Sequence, residues 1–471
     1  MSVLLAPASR SLRQLLEPAF EAFAASAGDA ADEPGGMGGI EDALAEGALE
    51  MQRLALEHAA QKKADGADHA HCPVCGRKLE RVTRGHGRHV RTRFGQITLR
   101  RSRGYCRECA QWRFPADDLL GLDKRATASP GVQRAESLLV SKMPAEEAAK
   151  VMRELTGLPA DDSTMSREAR RQGERARDLR RKMDEEACHT EGRWRVTEKV
   201  RREHGAAPFT LIIEMDAWMI RERDRWGETG QLREAGEKLS RWHWVYTATI
   251  FRLDQRAVTQ SNRPMIISRG HVATREGLEA FSRQVYGEAV RQGLLLSHDA
   301  LVIADGGVWI WKLAEERFPQ ARKRLDFYHA SQHLHAVAAE LHGSGTPEAK
   351  QWAEPLVHQL RHGGEAGVVR TIGDLAQTME EGPCKTLARE AEYFRTHRDH
   401  LDYERGAAAG EPIGSGAIES TCRQHQCRFK RPGQFWTTEG DETLLALETF
   451  WRNGRWRLLF PGRTTNTVAQ N

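Results

Sequence analysis

The spacing of apolar positions changes period several times along the chain, and each change marks a predicted element. Residues 209–216 and 300–305 are short apolar runs rich in β-branched side chains, so both read as buried strands. Residues 242–252 and 265–272 read as two more strands, 275–293 and 308–318 as helices, and 324–330 as a strand passing into a helix. From residue 331 the apolar positions recur at helical spacing, over 331–341, 347–361, 368–380 and 384–397. A last amphipathic helix is expected after Ser415, a good N-cap.

Upstream, residues 10–26 and 40–64 read as helices joined by a glycine-rich stretch at 33–39, together a solvated arm or a dimer contact. Residues 132–142 and 145–156 are helical, and Gly157 to Pro159 breaks the second helix. Asp162 and Ser163 can cap a third, arginine-rich helix, and 167–187 reads as an exposed continuation. Helix, turn and capped basic helix fit a helix-turn-helix that enters a major groove, although such hairpins also occur without DNA.

The order three strands, helix, strand, helix, strand predicts an α/β, ribonuclease-H-like mixed sheet with helices on it. The helical block is too long for a loop and reads as an insertion. The expected layout is a helical arm at 1–69, a zinc ribbon at 70–125 and helices at 126–205. The first part of a catalytic core follows at 206–330, a helical insertion at 331–408, and the rest of the core with C-terminal helices at 409–471.

Cysteine spacing supplies the ribbon. Cys72 and Cys75 form one C-x-x-C, and Cys106 and Cys109 form another thirty residues later. Two such knuckles give four thiolates, a closed tetrahedral set for one structural Zn²⁺ with no position left for water. A redox pair is the alternative; His71 and His86 read as ordinary polar residues. Eight cysteines in 471 residues suit metal binding in a reducing cytoplasm better than a disulfide framework. Cys422 and Cys427 lack a second knuckle and read as buried thiols.

Net charge is only +4, so its distribution matters more. Between Arg77 and Arg107 there are eleven Lys or Arg and a single acid, Glu80. Arg81, Arg84, Arg88, Arg91, Arg93, Arg100, Arg101 and Arg103 are therefore expected to face phosphates, against the alternative of a solvated basic surface. No stretch approaches a membrane span, and the first twenty residues, with Arg10 and Arg13, lack the apolar core of a signal peptide.

Three separated acids carry the candidate chemistry. Asp216 and Asp305 end the two apolar strands, and Glu419 opens the helix after Ser415. Taken singly, an Asp at a strand end is usually a turn former and a Glu in a first helical turn suits the dipole. Brought to one sheet edge, three carboxylates repel and call for a counter-charge. Two Mg²⁺ ions, or Mn²⁺, would supply it and cut and join phosphodiesters, with Asp216 bridging, Asp305 holding one ion and Glu419 the other. Gly306 and Gly307 would let a ligand approach the backbone closely. Arg423, Arg428, Lys430 and Arg431 would put positive charge beside the scissile strand, and Trp436 would stack on an unpaired base. Trp451 and Trp456 read as core.

The strings DGGVWIW from Asp305, LDFYHA from Leu325 and IGSGAIES from Ile413, with RFKRPGQFW from Arg428, resemble the transposases of bacterial insertion sequences of the ISKra4 group. The ribbon and Leu120 to Leu122 share the resemblance, which spans roughly residues 70 to 460. It implies a DDE enzyme allied to the Mutator group, with Asp216, Asp305 and Glu419 as the triad. It also implies that Asp326 and His329 form a D-x-x-H pair that positions water or a phosphate; a structural hydrogen bond is the alternative, and Asp326 is a rival metal carboxylate. The residue after the first acid departs from the family, being Ala217 where Gly is usual. The implied partners are the terminal inverted repeats and target DNA, bound by a dimer or larger assembly, in the cytoplasm on the nucleoid. A catalytically dead DNA-binding descendant and a ribonuclease-H-like repair nuclease are the competing classes.

Overall fold

A computed structural model describes residues 11–32, 36–124, 126–205, 207–261, 264–378 and 385–461. Arg10, the first residues of the 33–39 linker and the predicted helix ends at 379–384 lie outside them. The chain folds as two compact units, one running to Ala169 and rejoined at Phe460, the other Arg170–Leu459.

In the first unit, α1 (Leu12–Asp32) and α2 (Gly36–Asp65) form a helical pair, and α2 lies on the ribbon sheet. That sheet is β1 (Glu80–Thr92), β2 (Gly95–Cys106) and β3 (Gln111–Arg113), in that order and antiparallel. The arm is therefore not simply solvated. Leu56 and Ala60 of α2 pack on Val90, Ile97 and Leu99. Gln61 bonds both the N–H and the C=O of Arg100, at 2.8 Å each, where β3 no longer reaches the edge of β2. Short α3 (Pro115–Leu119), α4 (Pro130–Lys142) and α5 (Ala145–Thr156) follow. Gly157 ends α5 in a left-handed conformation. The next helix, α6 (Asp162–Cys188), is capped one residue earlier than expected: Asp161 Oδ2 accepts from Thr164 N at 2.8 Å.

In the second unit, α6 continues and is followed by α7 (Thr190–His204). The sheet strands are β4 (Thr210–Glu222), β5 (Arg241–Arg252), β8 (Gly270–Thr274), β9 (Asp299–Ala304) and β10 (Arg322–Leu325). Between β4 and β5 lies α8 (Thr229–Glu234), and between β5 and β8 a small ribbon, β6 (Arg256–Val258) with β7 (Pro264–Ile266). The expected strand over 265–272 is thus two pieces. The five-stranded order is β10-β9-β4-β5-β8. The β4–β5 and β5–β8 pairs are antiparallel; β4–β9 and β9–β10 are parallel. A mixed sheet, as the order of elements predicts, is what forms.

Leu211, Ile213 and Met215 of β4, with Val302 and Ala304 of β9, look onto the main core, under α9 (Leu278–Arg291), α10 (Val308–Arg317) and α11 (Phe327–His342). The helical block α12 (Pro347–Arg361), α13 (Glu365–Thr378), α14 (Lys385–His397) and α15 (Tyr403–Ala408) packs on the same core. Arg324 of β10, fully buried, ties its far end down: the guanidinium bonds Asp402, Glu411 and the Pro412 carbonyl. The opposite face carries Ile212, Leu301 and Ile303, covered by α16 (Gly416–Phe429) through Ala417. The last long helix, α17 (Thr438–Arg452), packs on β8 and precedes short α18 (Trp456–Leu459). Trp456 is core as expected, whereas Trp451 of α17 is exposed. Among the described residues no helix is long and apolar enough to cross a membrane.

Candidate active site

Pairing register brings three acids to one row. β4 and β9 pair as far as Glu214 with Ile303, and β9 and β10 as far as Ala304 with Leu325. Continued by two residues and by one, these registers align Asp216, Asp305 and Asp326 across three neighbouring strands. Alternation puts all three on the α16 face, since Ile212, Leu301 and Ile303 of the same parity pack there. Asp305 follows the end of its strand as expected, whereas Asp216 lies mid-strand because β4 runs on to Glu222, and nothing in the sequence pattern shows that Asp326 shares their row.

Each acid is anchored by backbone donors. Asp216 Oδ1 accepts from Ala217 N at 2.6 Å, and Asp305 Oδ1 from Gly307 N at 2.9 Å. Asp326 caps α11 by accepting from His329 N at 2.8 Å, and its other oxygen accepts from Ser415 N and, at 2.6 Å, from Ser415 Oγ. Ser415 therefore sits at the start of α16 without capping it through its hydroxyl. Glu214 takes over that task from the sheet, its Oε2 accepting from Ile418 N at 2.8 Å.

Glu214 is the residue the sequence reading passed over. Its signal was an acid inside an otherwise apolar strand, which demands a buried partner. Burial, reinforced by the charges of Asp326 and Glu419, pushes its carboxyl up to about 8 against the pull of the Ile418 and Ala417 N–H groups. The folded state then holds a proton that the unfolded chain releases near its ordinary 4.5. Stability from Glu214 is complete below that value and is lost as pH rises through about 8. Glu214→Gln keeps an acceptor for Ile418 and no longer titrates. Unfolding free energies of variant and wild type from denaturant titrations are expected to match near pH 4.5 and to diverge in favour of the variant by up to roughly 5 kcal/mol at high pH, at about 1.4 kcal/mol per pK unit. Parallel pH curves would refute the assignment.

Asp326, His329 and Glu419 offer ligand atoms within 4.8 Å of one another, a set able to hold a metal ion. The expected trio does not itself close that tightly among the described residues: Glu419 meets Asp326 and His329, and Asp216 meets Asp305 by charge. Burial raises the Asp216 carboxyl and Asp305 adds to the rise; burial and then Asp326 do the same for Glu419. Such mutual repulsion of hard oxygen donors is what a divalent cation relieves. Cys422, buried beside Asp216, has its thiol pushed up by burial and by that charge, while Cys427 is exposed rather than buried.

The helical block also reaches the site. Tyr393 of α14 donates to the Asp305 carbonyl at 3.0 Å. Gly306, left-handed at φ 98°, leaves room for this approach: a Cβ there would stand 3.1 Å from both Tyr393 and His397. His333 stacks on Tyr393 at 3.7 Å and bonds Glu390.

Several residues expected at DNA face inward. Arg88 is buried on Asp117 and on the carbonyls of Asp123 and Ala126. Arg101 also pairs with Asp117 and stacks on Phe114. Arg91 is held by the buried Glu136. Arg428 is buried against Trp436, whose indole N–H donates to the Phe429 carbonyl at 2.8 Å and whose backbone pairs with the end of β4. Trp436 is thus part of the packing and not a free stacking platform. Arg93, Arg100, Arg423 and Lys430 are exposed and Arg431 is half-buried.

The four ribbon cysteines form the second candidate metal group, with Cys72 Sγ 3.9 Å from Cys109 Sγ and Cys75 Sγ 3.5 Å from Cys106 Sγ. The residue after each second cysteine, Gly76 and Ala110, is left-handed at φ 70° and 51°, which closes each knuckle. Burial opposes ionisation of Cys72, but the N–H groups of Cys75 and Val74 and the neighbouring thiols outweigh it and bring Cys72 down to about 6. A thiol so disposed suits a zinc ligand. Comparison with protein-family models and with curated proteins finds no match.

Proposed function

We propose that this chain is a metal-dependent DNA-cutting and strand-joining enzyme, a DDE transposase with a ribonuclease-H-like core. One observation carries the reading: three adjacent parallel strands present Asp216, Asp305 and Asp326 on one row, and α16 lies over that face with Glu419 beside Asp326. The strand order, a three-stranded antiparallel meander extended by two parallel strands, fits a ribonuclease-H-like sheet, and the resemblance to ISKra4-group transposases points the same way.

Asp216, Asp305 and Glu419 would hold Mg²⁺, with Asp326 next to Glu419. Bound there, such ions would supply a nucleophile at neutral pH and charge stabilisation of the leaving oxygen. The chain's own contribution is placement. Gly307 N and Ala217 N each fix one oxygen of the Asp305 and Asp216 carboxylates. Ser415 and Glu214 fix the start of α16, and with it Glu419, against the sheet. His329, whose ring lies within 4.8 Å of the Asp326 and Glu419 carboxylates, would add a nitrogen ligand or a hydrogen-bond donor beside them. The exposed arginines of the ribbon and of α16 would bind inverted repeats and target DNA, with two or more copies pairing the ends on the nucleoid.

The test is incubation of purified, zinc-loaded protein with labelled duplex taken from both flanks of its gene. Mg²⁺- or Mn²⁺-dependent strand cleavage at a fixed position, followed by transfer to a second duplex, is expected. Folded protein that cuts neither flank with either ion would end the reading.

A further inference from the structure

Beyond the row of acids, β4 and β5 run on as a hairpin that is covered on one face only. The α16 face, with Trp218, Ile220 and Val245, stays buried. The other face carries Trp242 and Trp244, which are 55% and 48% exposed. Register sets Trp242 opposite Arg221 and Trp244 opposite Met219. Two large apolar rings held out in water on a rigid strand are costly unless something covers them.

The chemistry of the patch says what does. Arg221 stands over Trp242 and over Phe435, at 5.8 and 4.7 Å, and Arg223 stands over Trp226 at 4.6 Å. Their side chains donate to the Ser240 and Thr229 hydroxyls, and among the described residues neither guanidinium meets a carboxylate. The acids nearby are already paired: Glu222 and Asp224 with Arg241, Glu228 and Glu237 with Arg225. Flat exposed rings interleaved with uncommitted guanidinium groups match bases and phosphates of a single strand; duplex bases are stacked inside and cannot reach such rings.

The track lies on the sheet face opposite the acids and comes toward the Asp305 loop only by way of Trp309 of α10. One step inward from Trp244 is Tyr246, which meets Trp309 edge to face at 5.2 Å. A Cβ on Gly307 would lie 3.3 Å from both Trp309 Nε1 and Asp305 Oδ1. From Ala217, opposite Tyr246, to Arg221 the strand rises about 13 Å, room for two or three nucleotides.

We propose that this aromatic track holds unpaired nucleotides of the strand leading away from the Asp305 loop; as a place on the cutting pathway, it rests on the function proposed above. The test reads binding alone. Fluorescence anisotropy with labelled oligothymidylate and with hairpin duplex, without Mg²⁺, compares wild type with the Trp242→Ala/Trp244→Ala double variant. Single-strand affinity is expected to fall at least about tenfold and duplex affinity to change less than about twofold, from the stacking contribution of each ring. The Trp242→Phe/Trp244→Phe variant should recover most of the loss, and Trp194→Ala, an exposed tryptophan on α7, should change nothing. Unchanged single-strand affinity in a double variant that melts like wild type would overturn the proposal. So would a wild type that self-associates through these tryptophans, becoming monomeric in the double variant with oligothymidylate binding intact. Because no cleavage is read, a failed cutting assay leaves this result standing, and an inert track leaves Asp305-dependent cutting standing.

Discussion

Asp305→Asn and Asp216→Asn are expected to abolish Mg²⁺-dependent cleavage without lowering the melting temperature of the metal-free protein. Each amide keeps a carbonyl oxygen for its anchoring N–H, Gly307 for one and Ala217 for the other. Each removes a negative charge from a row of acids, in which the Asp305 charge adds to the rise of the Asp216 carboxyl. Repulsion is therefore relieved, and stability in the absence of metal should hold or rise, as at sites where function is maintained against local electrostatics. Activity should drop on the order of 10³-fold or more, since metal stabilisation of the transition state is worth several kcal/mol and each 1.36 kcal/mol is a factor of ten. Asp326→Asn should behave differently. Its Oδ2 accepts two donors from Ser415, and an amide NH₂ turned toward them leaves a buried clash of donors. That costs roughly 1–3 kcal/mol of stability along with activity. The decisive readout is the pair of measurements together. Asp305→Asn that cuts normally, or that melts as early as Asp326→Asn, would break the division between metal-holding and helix-fastening acids.

What was legible in the sequence was what depends on local pattern. The strands bearing Asp216 and Asp305 announced themselves as apolar runs, and the mixed sheet followed from the order of elements. Long-range pairing was not legible. Asp326 joins the row because β9 and β10 pair in a register that no single stretch of sequence states. Arg88 and Arg101 looked like phosphate ligands because few acids interrupt the ribbon. The acid that claims them, Asp117, arrives only in α3, after the ribbon is complete. Trp436 looked like a stacking residue for the same reason: its partner, the Phe429 carbonyl, is exposed by the end of α16 rather than by composition. Trp242 and Trp244, which do face water, sit in a run that reads as an ordinary strand, but among the described residues no helix covers its outer end.

Loss of a zinc ion from the four ribbon cysteines is expected to have the larger structural consequence, and the reason is how little else holds that end of the sheet. Near Val90, Ile97 and Leu99 the strands have a core, closed by α2 and by Leu122. At the other end the apolar cluster is only Cys72, Leu79 and Cys106, with Cys109 against it. β1 is mostly exposed from Arg81 to Gly87, its pairing with β2 is irregular between Glu80 and His86, and β3 contributes three residues. So small a cluster cannot offset the ordering of two knuckles by burial alone. One Zn²⁺ can: binding to a site of four thiolates is worth about 10–16 kcal/mol in small zinc domains. Protein purified with zinc is expected to carry one ion per chain. Cys106→Ser, which replaces a fully buried sulfur, should lose it. Hydrogen exchange should then rise sharply over residues 71–79 and 104–113 while residues 90–99, under α2, remain protected. Duplex affinity should fall with it, because Arg81 and Arg84 directly follow the released 71–79 segment on β1. Zinc well below one per chain in the wild type, or a Cys106→Ser protein with wild-type exchange at both knuckles, would show that the four sulfurs meet for some reason other than a metal.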